Sequence, residues 1–144
     1  CAHHVISVLD EVLGGQEFAT LAVSGGTSPR LMFDQLAKSK FPWERVHLFW
    51  VDERCVPPTD PASNFKMVED CLIKAAHIPQ RQVHRICGEL LPETAATRYV
   101  QDIRDFFGLA PGEMPHFDLI HRGMGPDAHS ASFSRSSRSR MRTK

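Results

Sequence analysis

The chain has 144 residues, 42% of them hydrophobic and 24% charged, with 17 basic and 17 acidic side chains. No run approaches the roughly 20 apolar residues of a membrane span, and a formal net charge of zero excludes a global field that would draw in nucleic acid or a membrane surface. Four cysteines without a C-x-x-C pair argue against a zinc site and read as reduced thiols.

In chain order, apolar residues at Val5, Ile6, Val8, Leu9, Val12 and Leu13 make a helical stripe that stops at Gly14-Gly15. "FATLAVS" (residues 18–24) is short, apolar and followed by glycines, which predicts a buried strand. Ser28-Pro29 reads as a helix cap with proline at the first helical position, opening a helix to about residue 39. "VHLFWVD" (46–52) is the second strand. A proline-rich loop follows, closed by Ser63 as cap for a helix over residues 64–77. "VHRIC" (83–87) is a third strand, residues 93–108 form an amphipathic helix with a glycine stop, and "FDLI" (117–120) is a fourth strand. Strands alternating with helices in this way predict an α/β fold, a mostly parallel sheet covered on both faces. Ligands of such sheets bind beyond the carboxyl ends of the strands.

From Ser132 the apolar period is lost. "SFSRSSRSRMRTK" carries five basic residues and no acid, a composition expected to stay disordered and solvated. The expected organisation is therefore an α/β domain over residues 1–131 and a Ser/Arg tail over 132–144. The tail reads as the end of a truncated or frame-shifted domain, or as a basic arm with weak, salt-sensitive affinity for RNA. The opening "CAHHVISVLDEVLGG" shows no basic start or cleavage site of a signal peptide, and its Cys in place of Met reads as a fragment or a processed start; the reduced thiols read as cytoplasmic.

Three loops carry the chemistry. "SGGTSP" puts Gly25 and Gly26 at a strand-to-helix turn, where backbone amides approach an anion closely. Ser24, Thr27 and Ser28 can add hydroxyl donors. It has no Gly-Lys-Ser/Thr and is neither a P-loop nor a dinucleotide fingerprint. "FWVDERCVPP" places Asp52, Glu53 and Arg54 together at a strand end. Arg54 can fork onto a phosphate with Asp52 orienting it, or the three charges can form a surface salt bridge. Asn64 lies at a helix start, as a cap or as a partner for sugar hydroxyls. "GMGPDAH" sets His129 two residues after Asp127 on a glycine-rich loop, and an imidazole titrating near neutrality suits general base work. The other seven histidines read as structural or surface positions.

Taken together, "SGGTSP", "WVDERCVPPTDPASN" and "GMGPDAHSAS" resemble the 6-phosphogluconolactonase family, in order and at matching spacing from Phe18 to Ser132. The resemblance implies a three-layer αβα sandwich, Rossmann-like and here incomplete at its C-terminus, shared with amino-sugar-phosphate isomerases. It implies hydrolysis of 6-phosphogluconolactone in the pentose phosphate pathway, with a small sugar phosphate as partner and no metal or cofactor. The family's phosphate-binding role falls on Gly25, Gly26, Thr27 and Arg54, and its catalytic histidine on His129. This sequence departs from the family pattern at Ala128, where glycine is usual, and at His121-Arg122, where apolar residues are usual. It departs again after Ser132, so the chain as written is expected to be inactive. An amino-sugar-phosphate deaminase is the alternative enzyme, although such enzymes tend to carry D-E-Y where this chain has D-E-R. A non-catalytic sugar-phosphate or RNA-binding relic is the alternative outside enzymes.

Overall fold

A computed structural model describes residues 1–123. Helix α1 (Ala2–Leu13) leads into strand β1 (Ala19–Val23), helix α2 (Arg30–Ala37) and strand β2 (Val46–Trp50). Helix α3 (Asn64–Val68) continues as one wide turn of π-helix (Glu69–Ile73). Strand β3 (Val83–His84), helix α4 (Pro92–Phe107) and strand β4 (Leu119–Ile120) complete the order. The four strands are parallel and lie side by side as β3-β2-β1-β4. The layers make a three-layer αβα, Rossmann-like fold.

Side-chain alternation explains why the central strands are apolar at nearly every position. Ala19, Leu21 and Val23 of β1, with Val46, Leu48 and Trp50 of β2, enter one core with α1, α2 and α3. The intervening Phe49 is wholly buried on the opposite face, among Phe106 and Phe107 of α4 and Phe117. Both faces of β1 are therefore covered, and all five of its residues are buried. Tyr99 fastens α4 to β2, donating to Trp50 O and accepting from Trp50 N at 2.8 and 2.7 Å. Asp118 fastens β4, its Oδ2 accepting from both the amide and the hydroxyl of Thr20 at 2.8 Å.

The second and fourth strands and the helix from Asn64 end or begin short of their sequence expectation, at Trp50, Leu119 and Ile73, and two further elements differ for a visible reason. Ser28 does not cap α2: the cap position falls on Pro29, whose φ of −80° and ψ of −8° are already helical. The amide of Arg30 is satisfied by the carbonyl of Thr27, so no side-chain acceptor is needed. The third strand spans two residues rather than five, because the chain turns at Ile86–Gly88 to lay Gly88 against the loop after β2. A Cβ on Gly88 would stand 2.2 Å from Arg54 O. Ser63 does cap α3, accepting from Lys66 N at 3.1 Å. Gly108 ends α4 in the left-handed conformation, φ 62°. All four cysteines are free thiols. Among the described residues no helix is long and apolar enough to cross a membrane.

Candidate functional site at the carboxyl edge of the sheet

The strand order creates the site. Connections from β1 to β2 and from β2 to β3 run outward on one side, whereas β4 returns to the other side of β1. Such a reversal opens a crevice beyond the strand ends. The loop after β1, Ser24 to Thr27, lies in the middle of it. The ladder extends past the strands on both sides: Val51 N donates to Val23 O, and His121 N to Ala22 O, each at 2.8 Å. The loops after β2 and β4 thus leave the sheet directly beside the glycine turn.

The two glycines have different reasons to be there. Gly26 has φ +105°, a conformation that a side chain strains. Gly25 has no room: a Cβ there would overlap the Asn64 side chain, 1.9 Å from its Oδ1. Asn64 is 5% exposed and donates from Nδ2 to Asp52 O at 3.0 Å. It therefore fills the space between the glycine turn and the acidic loop, which fixes the distance between them. Gly123 closes the third side, with Gly25 O 3.8 Å from where its Cβ would be.

Glu53 supplies the anchor. Its carboxylate accepts from the amides of Arg54 and Asn64 at 2.7 Å, from Phe65 N at 2.8 Å and from Ser63 Oγ at 3.1 Å. Three of these donors belong to the start of α3, where helical amides lack intrahelical partners and favour a negative charge. The structure thus spends the middle charge of "DER" on backbone, not on a salt bridge. Held this way, Arg54 stands exposed, and its guanidinium is bonded to no side chain among the described residues. Thr27 is also exposed, whereas Ser24 is buried, with Oγ 3.4 Å from His121 O. The glycine turn and the exposed Thr27 on one loop and the exposed Arg54 on the next are thus linked through Asn64 at this edge.

Beside it, His121 packs its ring edge-on against Phe33, with Nδ1 buried and without a hydrogen-bond partner among the described residues. Burial pushes its pKa down. Asp127, Ala128, His129 and the tail over 132–144 lie outside the described residues. Glu53 and Gly88 escaped the sequence reading as positioning groups. No local signal marks either: Glu53 is one of three adjacent charges, and the helix start that it holds comes ten residues later.

The description "Glucosamine-6-phosphate isomerases/6-phosphogluconolactonase" names a family whose model matches residues 1–143. The chain belongs to this family. It is 42% identical over 134 residues to a 6-phosphogluconolactonase of Treponema pallidum, covering 91% of this chain and 55% of that protein. A 6-phosphogluconolactonase of Nostoc is 37% identical over 129 residues, covering 89% of this chain and 54% of the relative. The crystal structure of the Thermotoga maritima 6-phosphogluconolactonase superposes with a TM-score of 0.82 at 34% identity, over 91% of this chain and 57% of that one. The chain spans about half the length of the curated relatives it matches.

Proposed function

We propose that this family member acts on 6-phosphogluconolactone, hydrolysing it to 6-phosphogluconate as its named relatives' titles suggest for them. The observation that carries the reading is the packing of the Gly25 turn on Asn64, whose side chain and amide also hold the loop that bears the exposed Arg54. The phosphate of the substrate sits on the turn amides and Arg54, leaving the lactone ring to reach toward the loop after β4. There His129 takes a proton from water as the water oxygen bonds to the lactone carbonyl. The resulting imidazolium returns that proton to the ring oxygen as the acyl–oxygen bond breaks. Asp127 holds the imidazole or its loop. The free cysteines fit a reducing, cytoplasmic setting.

Titration calorimetry with 6-phosphogluconate tests the phosphate site without requiring turnover. Arg54→Ala is expected to weaken binding by about 1.5–3 kcal/mol, the scale of a charged hydrogen bond, and to leave the melting temperature unchanged. Equal affinity in the variant overturns the assignment. Turnover of glucosamine 6-phosphate without turnover of the lactone would select the isomerase branch of the family instead.

A further inference from the structure

At the opposite, amino edge of the sheet lies a cleft of about 340 Å³. Its walls are residues that stand immediately before strands: Phe18 before β1, Glu44 and Arg45 before β2, Arg81 and Gln82 before β3, with His47 inside β2. None of them takes part in the crevice described above.

A chain of hydrogen bonds runs into this cleft from α4. His84 Nδ1 stands 3.0 Å from Asp102 Oδ2, and His84 Nε2 stands 3.0 Å from His47 Nδ1. An ionised carboxylate only accepts, so His84 carries its proton on Nδ1 and exposes a lone pair at Nε2. That lone pair accepts from His47 Nδ1–H. His47 Nε2 is then left as a bare acceptor, with no hydrogen-bond partner among the described residues. Stacking of Phe49 on His84, 4.2 Å between centroids and 3° between planes, fixes the middle ring. Edge contacts from Phe18 and Phe106 fix His47.

The cations around it are held ready. Arg45 donates from Nε to Glu17 O and from Nη2 to the carbonyls of Leu13 and Gln16, at 2.7–3.1 Å, which immobilises the guanidinium and leaves Nη1 unused. Arg81 is exposed and forms no ion pair among the described residues. Gln82 is 3% exposed and gives its amide hydrogens to the carbonyls of Glu44 and Val46, which fixes this wall of the cleft. Two guanidinium groups beside an imidazole nitrogen that can take a proton suit an oxyanion.

We propose that this amino-edge cleft is a second binding site, for a phosphate group, in which Arg81 and Arg45 take the charge and His47 Nε2, once protonated, donates to a phosphate oxygen. Its occupancy is linked to protons. Without ligand, burial, then His84, then the Arg81 charge all push the His47 pKa down. The other charged groups at the cleft are the carboxylates of Glu17 and Glu44 on its wall, with Asp102 behind His84. A bound phosphate offsets the Arg81 charge and favours a proton on His47 Nε2.

The test is a side-chain imidazole NMR titration of the full chain against pH, with inorganic phosphate or with chloride at equal ionic strength. Phosphate is expected to raise the His47 midpoint by about one unit, the scale of a nearby opposite charge, and chloride much less. The shift should persist in Arg54→Ala, which disables the other edge, and vanish in Arg81→Gln. An Arg81→Lys protein covers the case that the glutamine variant folds poorly, and it should keep a reduced shift. Repeating the titration with 6-phosphogluconate in Arg54→Ala separates the sources: an equal shift assigns phosphate esters, and none restricts the site to inorganic phosphate. No movement of His47 with phosphate overturns the proposal. So does an equal response to chloride, or a response lost with Arg54 and kept without Arg81.

Discussion

The two ends of the sheet hold polar groups in opposite ways. At the carboxyl edge a single carboxylate, Glu53, and a single amide, Asn64, are spent on backbone, so that loops are fixed and the cation beyond them, Arg54, stays uncommitted. At the amino edge backbone carbonyls hold Arg45 and Gln82, but the titratable side chains hold one another in a line, Asp102 to His84 to His47. Loops that follow strands can be redirected by a helix start, as α3 does for the "DER" loop. Residues that precede or begin strands are already set by the ladder, and only their side chains can be tuned. The lesson is that the carboxyl edge depends on backbone geometry and the amino edge on protonation state.

That contrast can be broken most severely at Glu53. Glu53→Ala strands two amides at the α3 start and the Ser63 hydroxyl, and it is expected to cost about 3 kcal/mol of stability, several buried donors losing a charged acceptor at once. Urea unfolding would show it as a lower midpoint at constant slope. A loss under half of that would mean water replaces the carboxylate and the loop is not held from behind.

Gly25→Ala tests the same edge with less damage. The added methyl meets the buried Asn64, so about 1–3 kcal/mol of overpacking is expected. Affinity for 6-phosphogluconate should fall with it, because Asn64 and the turn cannot both keep their places. Asn64→Ala combined with Gly25→Ala should recover part of the stability. Absence of any recovery in the double mutant would show that the contact does not couple the loops.

The smallest effect, and the one that sharpens the comparison, is at His121. Its folded pKa lies below the ordinary 6.5 because burial disfavours the imidazolium. The unfolded chain therefore binds the proton first, and stability present above pH 6.5 is lost as the pH falls through 6.5 toward the folded value. His47 contributes with the same sign. His121→Leu removes one of the two and also the unpartnered Nδ1. It is expected to raise neutral-pH stability by about 1 kcal/mol and to flatten the loss on acidification. Thermal melts at neutral and mildly acidic pH would read both. A steeper acid loss in the variant would show that the histidine is held by its proton rather than penalised by it.

Much of the carboxyl edge was legible before any coordinates. The alternation around Leu21 and Leu48, the glycine pair after β1 and the acid-rich end of β2 are contiguous, and contiguous residues report their own local geometry through period and turn chemistry. The Ser63 cap was readable for the same reason. Ser28 was misread because its hydroxyl competes with a backbone carbonyl, Thr27 O, that sequence pattern does not show. The division of labour within "DER" was not readable either: nothing in three adjacent charges says that the middle one turns inward to a helix start ten residues later.

By itself the sequence determined the order of strands and helices, the buried faces of the central strands, and the identity of the groups at each loop, since these follow from spacing along one segment. Only the tertiary structure decided which groups meet. The reversal at β4 sets the crevice, the overlap of Gly25 with Asn64 sets its width, and His47 finds His84 across a strand pair and Asp102 across a sheet-to-helix interface. Those contacts join residues 18 to 98 positions apart, and their geometry is fixed by parallel register and helix packing, which no local pattern encodes.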